Sequence, residues 1–371
     1  MHIFILTIGT RGDFELFLTL ARALRQRGHH IVMGTSGFFS DNAQAAGVEW
    51  VQIGKGTYEE ITAVLRSLSA ADNRTRRTTL FYKRWLQPQL SMAMNRITAI
   101  AAKTDYFISN LKMMLQRGDE VVPGAAVTYD PPHALTDLSK YGTQNHQGRI
   151  LDIVAMNKKL VDPDDIWGQS YHFTGFWHNN DPSGGDRPEA LARFLRNGSP
   201  PVVVTMGSMV TFDAGKLVSV LSRAIRRCGQ RGVFVGGWSN VGAQAAPAEG
   251  ICIVSEAAYD WLFPRAACIV HHGGVGTVAA ALRAGRPSIL FPQIACQEQF
   301  SQILVKKHLA TGIFDIHRFA TEEITTAIQT AVADKLFETS VRSWQKTILE
   351  DKGVDAAVDL IEAHLKQIHR H

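Results

Sequence analysis

Seven consecutive residues, His271-His272-Gly273-Gly274-Val275-Gly276-Thr277, have the composition of an anion cradle. Glycines let backbone N–H groups face a ligand with no side chain in the way. The small residues Val278-Ala279-Ala280-Ala281-Leu282 that follow predict a helix, and Gly285-Arg286-Pro287 predict its end. A helix N-terminus carries unpaired N–H donors and partial positive charge, a setting for phosphate or diphosphate. His272 would add a ring donor, charged or neutral, and Thr277 a hydroxyl at the helix mouth. The competing reading is a buried histidine satisfied by backbone, and it suits His271 better than His272. A second loop with chemical potential is Gly9-Thr10-Arg11-Gly12-Asp13. On local pattern alone Asp13, standing before Phe14-Glu15-Leu16, is a helix cap. Cys296 has no histidine close in sequence to activate it, which argues against a thiolate nucleophile.

Each of these loops must be held by regular elements, and the chain supplies them by alternation. Met1 to Ile8 reads as a buried strand that delivers the first loop. Leu16, Leu20, Ala23 and Leu24 then recur at helical spacing up to Gly28. His30 to Met33 and Glu49 to Ile53 read as further strands, with a short helix over Asp41 to Ala46 between them. Strand–helix alternation of this kind gives a parallel sheet covered on both faces, with its ligand crevice at the strand carboxyl ends, where Thr10 to Asp13 sit. The region Glu59 to Asn110 has a mostly helical pattern, and Gln116 to Gln147 reads as loop with short elements. Residues 179–190, rich in Asn, Asp, Pro, Ser and Gly, read as a linker. A second alternating series follows, with strands at Pro201 to Met206, Gly232 to Val235, Ile251 to Val254, Ala266 to Val270, Ser288 to Phe291 and Gly312 to Asp315. Trp238 stands in a mobile-looking stretch up to Gly250, placed to cover a ligand. The domains expected are 1–178, then 191–353, with the helix at 354–371 packing back on the first.

Composition narrows the classes. Length 371 suits two domains of ordinary size, and 45% hydrophobic with 20% charged residues describes a globular chain. A net charge of +5 is too thinly spread to argue for nucleic acid. The four cysteines are far apart without CxxC spacing, as expected of reduced thiols, and no segment reaches membrane-spanning length, so a cytoplasmic location is expected. The stretch 74–85 holds five basic residues (Arg74, Arg76, Arg77, Lys83, Arg84) with Phe81, Tyr82 and Trp85. It has two readings: contact with the inner face of a membrane, or an ordinary solvated helix with inward aromatics. The second is the commoner arrangement.

The ordered set of motifs resembles the bacterial nucleotide-sugar glycosyltransferases of the family that includes sterol and natural-product enzymes. It comprises Gly9 to Asp13, Thr174-Gly175-Phe176-Trp177, Gly207-Ser208-Met209, Asp260-Trp261-Leu262-Phe263-Pro264-Arg265, His271 to Thr277, Ala281 to Pro287, and Pro292 with Gln297. The resemblance implies a GT-B architecture: two Rossmann-like parallel-sheet domains facing across a cleft. It implies metal-independent, inverting transfer from a UDP- or TDP-sugar to a hydroxyl of a small lipophilic acceptor, with the nucleotide sugar as co-substrate and no further cofactor. Asp13 would be the general base, with Thr10, Arg11 and Gly12 as the acceptor loop. His272, Gly274, Gly276, Thr277, Gly207 and Ser208 would hold the diphosphate. Val254 and Ala257 would border the nucleobase, and Cys296, Gln297 and Trp238 the sugar.

One position departs from the pattern. Relatives commonly carry Asp-Gln after the second proline, where this chain has Cys296-Gln297, and a thiol is a poor partner for sugar hydroxyls. Either Glu298 swings in, or the donor is a deoxysugar, or transfer is weakened. The last option keeps open a non-catalytic GT-B partner protein. A sugar-nucleotide epimerase or hydrolase of the same fold is a further alternative.

Overall fold

The computed structural model describes the chain except residues 70, 72, 102, 111–115, 118–119, 122–123, 129–148, 162–170, 179–185, 211–212, 240–248 and 370–371. Most of the expected linker and of the loops after Val121 and Trp238 therefore lies outside the described residues. The chain divides into two compact units. The first comprises Met1–Val64, Thr79–Asn179 and Asp351–His371; the second comprises Leu65–Thr78 and Asn180–Glu350. Leu65–Thr78 thus groups with the second unit although it lies early in the sequence.

The strands of the first unit are β1 (His2–Leu6), β2 (His30–Thr35), β3 (Glu49–Gln52), β4 (Tyr106–Ser109), a small antiparallel pair β5 (Gln116–Arg117) and β6 (Glu120–Val121), then β7 (Gly124–Thr128), β8 (Ile150–Val154) and β9 (Tyr171–Phe173). Seven of them form one sheet, in the order β3-β2-β1-β4-β7-β8-β9, and every pairing is parallel. Two central members, β4 and β7, fall where the sequence pattern reads helix and loop. β4 is only four residues long, and β7 is Gly-Ala-Ala-Val-Thr, too weakly apolar to stand out. Their place is set by pairing with β1 and β8, which a local pattern does not contain. The C-terminal helix Val354–Ile368 belongs to this unit, where the Tyr106 hydroxyl and His364 Nδ1 lie 2.7 Å apart. The Thr174-Gly175-Phe176-Trp177 motif forms a folded turn: Trp177 Nε1 donates to Thr174 Oγ1 at 2.9 Å.

In the second unit β10 (Val202–Thr205), β11 (Gly232–Val235), β12 (Ile251–Val254), β13 (Cys268–His271), β14 (Ser288–Leu290) and β15 (Ala310–Ile313) form a parallel sheet ordered β12-β11-β10-β13-β14-β15. Alternation divides its two faces. Val202, Val204, Phe234, Cys268 and Val270 pack under the helices Ala214–Arg227 and Thr321–Ala333, while Val203, Val233, Val235 and Ile269 pack against Leu262, Phe263 and Ala281. Each of these large apolar side chains, once fully buried, contributes about 1.5–3 kcal/mol. A sheet buried on both faces has few polar positions along its strands, so its chemistry sits at and just past the carboxyl ends.

Candidate functional site

β13 runs directly into the glycine turn, which opens the helix Val275–Ala284. Gly274 is the N-cap in extended backbone, and Gly285 ends the helix at φ +62°, as the pattern predicts. Gly273 has φ +81°, a conformation other residues resist, and a Cβ there would press on Ser301 Oγ at 2.8 Å. Gly276 is exposed, and a Cβ added to it would meet nothing within 4 Å, so the fold itself sets no demand for glycine there.

The two histidines take different places. His271 is fully buried, with Nδ1 accepting the Gly273 N–H at 3.1 Å and Nε2 3.0 Å from Ser288 Oγ. It is a structural pin of the turn. His272 is also buried, yet its Nδ1 has no hydrogen-bond partner. Its ring lies against the two glycines on either side: a Cβ on Gly207 would sit 2.7 Å from Cε1, and one on Gly274 would overlap Nε2. Burial pushes the His272 pKa down to about 4, and burial together with the neighbouring His272 ring pushes His271 down to about 3. Both rings are neutral at pH 7.

Around this turn the ends of β10, β11 and β12 converge. Gly207, at φ +57°, accepts the Trp238 N–H on its carbonyl at 3.2 Å. Gly236 donates to the Val254 carbonyl at 2.8 Å, and Gly237 to that of Ser255 at 3.0 Å. The structure therefore brings Gly207, Trp238, His272 and Gly274 together, with Val254 one step further along the strand ends. Ser208 is half-buried in the turn after β10, Thr277 is buried in the first turn of its helix, and Ala257 packs against the core.

The Pro292–Glu298 turn borders the same glycine turn, since a Cβ on Gly273 would also meet the Gln297 carbonyl at 3.1 Å. Gln297 is buried, and its Oε1 accepts the Gln293 N–H at 2.9 Å. Cys296 is half-buried in the first turn of the helix Ala295–Lys306. Glu298 does not swing toward the turn unaccompanied: it pairs with Arg74 at 2.5 Å. That arginine was legible only as one of a basic run. Arg77 too is buried on protein carbonyls, and Trp85 is 2% exposed, which supports the ordinary reading of 74–85 over the membrane reading. Among the described residues no helix is long and apolar enough to cross a membrane, and no cluster of three or more His, Cys, Asp or Glu is placed to hold a metal.

In the first unit the loop after β1 leads into the helix Arg11–Gln26, capped by Thr10. Asp13 is not the cap residue itself but its reciprocal partner three positions on. Its Oδ2 accepts the Thr10 N–H at 2.7 Å and the Thr10 hydroxyl at 3.2 Å. A Cβ on Gly9 would overlap that carboxylate, which accounts for the glycine. Arg11 is exposed and lies 3.6 Å from Glu15, one helical turn on, and Gly12 is exposed.

Known proteins carry the same arrangement of elements. Residues 3–108 match the glycosyltransferase family 28 N-terminal domain. Over nearly its whole length the chain is similar to glycosyltransferases. It is 26% identical to the O-mycaminosyltylonolide 6-deoxyallosyltransferase of Streptomyces fradiae, over 98% of this chain and 97% of the relative. It is 24% identical to the sterol 3-beta-glucosyltransferase UGT80B1 of Arabidopsis thaliana, over 98% of this chain and 68% of the relative. Against the Saccharomyces cerevisiae sterol 3-beta-glucosyltransferase the chain spans about a third of the relative, 35%. Among solved structures, CalG4, the calicheamicin glycosyltransferase, superposes with a TM-score of 0.71 at 19% identity over 99% of this chain and 98% of that one. VinC, solved in complex with dTDP, superposes with a TM-score of 0.69 at 14% identity over 99% and 100%. These neighbours share the two-sheet GT-B fold.

Proposed function

We propose that this chain is an inverting, metal-independent glycosyltransferase that moves a sugar from a UDP- or TDP-sugar to a hydroxyl of a small lipophilic acceptor. The observation that carries this reading is His272, a buried neutral imidazole with an unpartnered nitrogen, wedged between Gly207 and Gly274 at the mouth of a helix. Leaving a buried polar atom unpaired costs about 1–3 kcal/mol, which stability alone does not call for. A diphosphate arriving at the N-terminus of Val275–Ala284 supplies the missing partner. The solved complex of VinC with dTDP supports a nucleotide of this kind.

The acceptor oxygen attacks the anomeric carbon as the bond to the diphosphate oxygen breaks. Asp13 takes the hydroxyl proton as that bond forms. The negative charge left on the diphosphate is met by the N–H groups of Gly274, Gly276 and Thr277, by the His272 ring, and by Gly207 and Ser208. Fixed dipoles then do what a divalent cation does elsewhere. Val254 and Ala257 border the base, and Cys296, Gln297 and Trp238 the sugar, with Thr10, Arg11 and Gly12 beside the acceptor.

Isothermal titration with UDP and TDP tests the nucleotide. Micromolar to sub-millimolar binding is expected, weakened about tenfold or more by His272→Ala. No binding at millimolar nucleotide, or binding indifferent to that substitution, removes the reading. Gly276→Ala separates ligand cradle from scaffold. In a helix it stabilises by up to about 1 kcal/mol, yet its methyl stands between backbone donors and phosphate. A raised melting temperature with about 10- to 100-fold weaker nucleotide binding is expected, the loss of one or two charge-assisted hydrogen bonds. Equal binding by both proteins would place the phosphates elsewhere.

A further inference from the structure

Three residues on one face of the helix Arg74–Phe81 grip the turn that ends in Cys296-Gln297-Glu298, and all of them belong to the second unit. Arg74 Nε donates to the Pro292 carbonyl at 3.0 Å and Nη1 to Glu298 at 2.5 Å. Arg77 Nη1 donates to the Gln293 carbonyl at 3.0 Å, and Thr78 Oγ1 accepts the Ala295 N–H at 3.3 Å. The spacing i, i+3, i+4 is that of one helical stripe, so the grip is a property of the helix and not of a chance side chain. Arg77 is 3% exposed and held on its other edge by the Ala71 carbonyl at 2.7 Å, so it anchors the clamp. Arg74 and Glu298 are more open, with 21% and 33% of their side-chain surface exposed.

The chemistry of the clamp bears on what the turn can read. A lone carboxylate accepts sugar hydroxyls well, whereas one already engaged by a guanidinium has fewer acceptor positions to offer. Cys296 adds only a weak partner. We propose that Arg74 is a positioning and specificity-determining residue of the donor-sugar end: by holding Glu298 it favours nucleotide-linked deoxyhexoses over fully hydroxylated hexoses. This rests on the reading of Pro292 to Gln297 as the sugar end of a donor site. The preference follows from unpaired-group costs. A hydroxyl brought to this corner without an acceptor loses its water partner and gains nothing, while a sugar lacking it loses nothing.

Arg74→Gln and Arg74→Lys test the assignment, with kcat/KM measured for a matched panel of hexose and 2-, 4- and 6-deoxyhexose donors, and Kd for UDP and TDP alone. Wild type is expected to favour at least one deoxy donor. Arg74→Gln releases Glu298 and is expected to shift the ratio toward the hydroxylated donor by about 10- to 100-fold, the effect of one hydrogen bond to a charged group. Arg74→Lys keeps a positive charge beside Glu298 but loses the planar fork that also holds the Pro292 carbonyl, and is expected to shift the ratio less than Arg74→Gln does. The Kd for UDP or TDP should remain within about twofold in both variants, because no sugar is present. An unchanged donor ratio in Arg74→Gln overturns the proposal. So does a parallel fall of nucleotide binding and of turnover with every donor, which would mean a purely structural clamp. If wild type binds neither nucleotide, the donor site itself is refuted, and that result is read in titration before any donor is compared.

Discussion

Asp13→Asn is expected to lower kcat by about 10²- to 10⁴-fold, the range of one positioned general base. Nucleotide affinity and thermal stability should stay close to wild type. The separation is available because Asp13 has two roles with different chemical needs. As partner of the Thr10 N–H and hydroxyl it must accept hydrogen bonds on one oxygen, and an amide oxygen still does that, though more weakly than a carboxylate. As base it must take a proton, and an amide has no use there. Asp13→Ala, which removes both roles, is expected to cost an additional 0.5–2 kcal/mol of stability, roughly the value of a helix cap. Single-turnover rates and thermal melts of the two variants distinguish the roles. Full turnover in Asp13→Asn would assign the residue to the helix alone.

The second large effect is loss of stability in mild acid. His271 and His272 have folded pKa values of about 3 and about 4, below the unfolded value of 6.5. A histidine whose pKa is depressed by folding stabilises the fold fully above the unfolded pKa, and that contribution is lost as pH falls toward the folded pKa. Between pH 6 and 4 the unfolded chain therefore binds between one and two more protons than the folded one, a slope of roughly 2 kcal/mol per pH unit. From pH 6.5 to 4.5 the loss is on the order of 4 kcal/mol, a large part of a typical domain's stability. Urea unfolding of the second unit's signal across this range should show the slope, and His272→Ala should remove close to half of it. A flat profile would mean that the rings are reached by water in the folded state. Bound diphosphate should oppose the loss, since a nearby negative charge raises the His272 pKa again.

How much of this was legible beforehand differs from element to element. The phosphate turn was readable because everything it needs is contiguous: an apolar strand, glycines, small helical residues and a glycine stop lie within about twenty residues of one another in the chain. The split between His271 and His272 was readable in outline as well, because a strand buried on both faces turns its last residue inward. Asp13 was legible as a helix cap, but the cap proved to be Thr10, and only the folded structure shows one Asp13 carboxylate oxygen taking both Thr10 donors. The strands β4 and β7 were not legible, since their place comes from neighbours far away in sequence, while β4 is too short to show a period and β7 is too weakly apolar.

The sequence by itself determined the two alternating series, the glycine turn and the place of Cys296 beside Gln297. It determined them because backbone conformation, helix ends and apolar periodicity are set within a few residues. What only the tertiary structure decided is the company those residues keep. It brought Gly207 against His272, tied Gln297 to Gln293, and set Arg74, more than two hundred positions upstream, on Glu298. Such contacts depend on which strand lies beside which and which helix face turns inward, and those are set by burial of the whole core and not by any local run of residues.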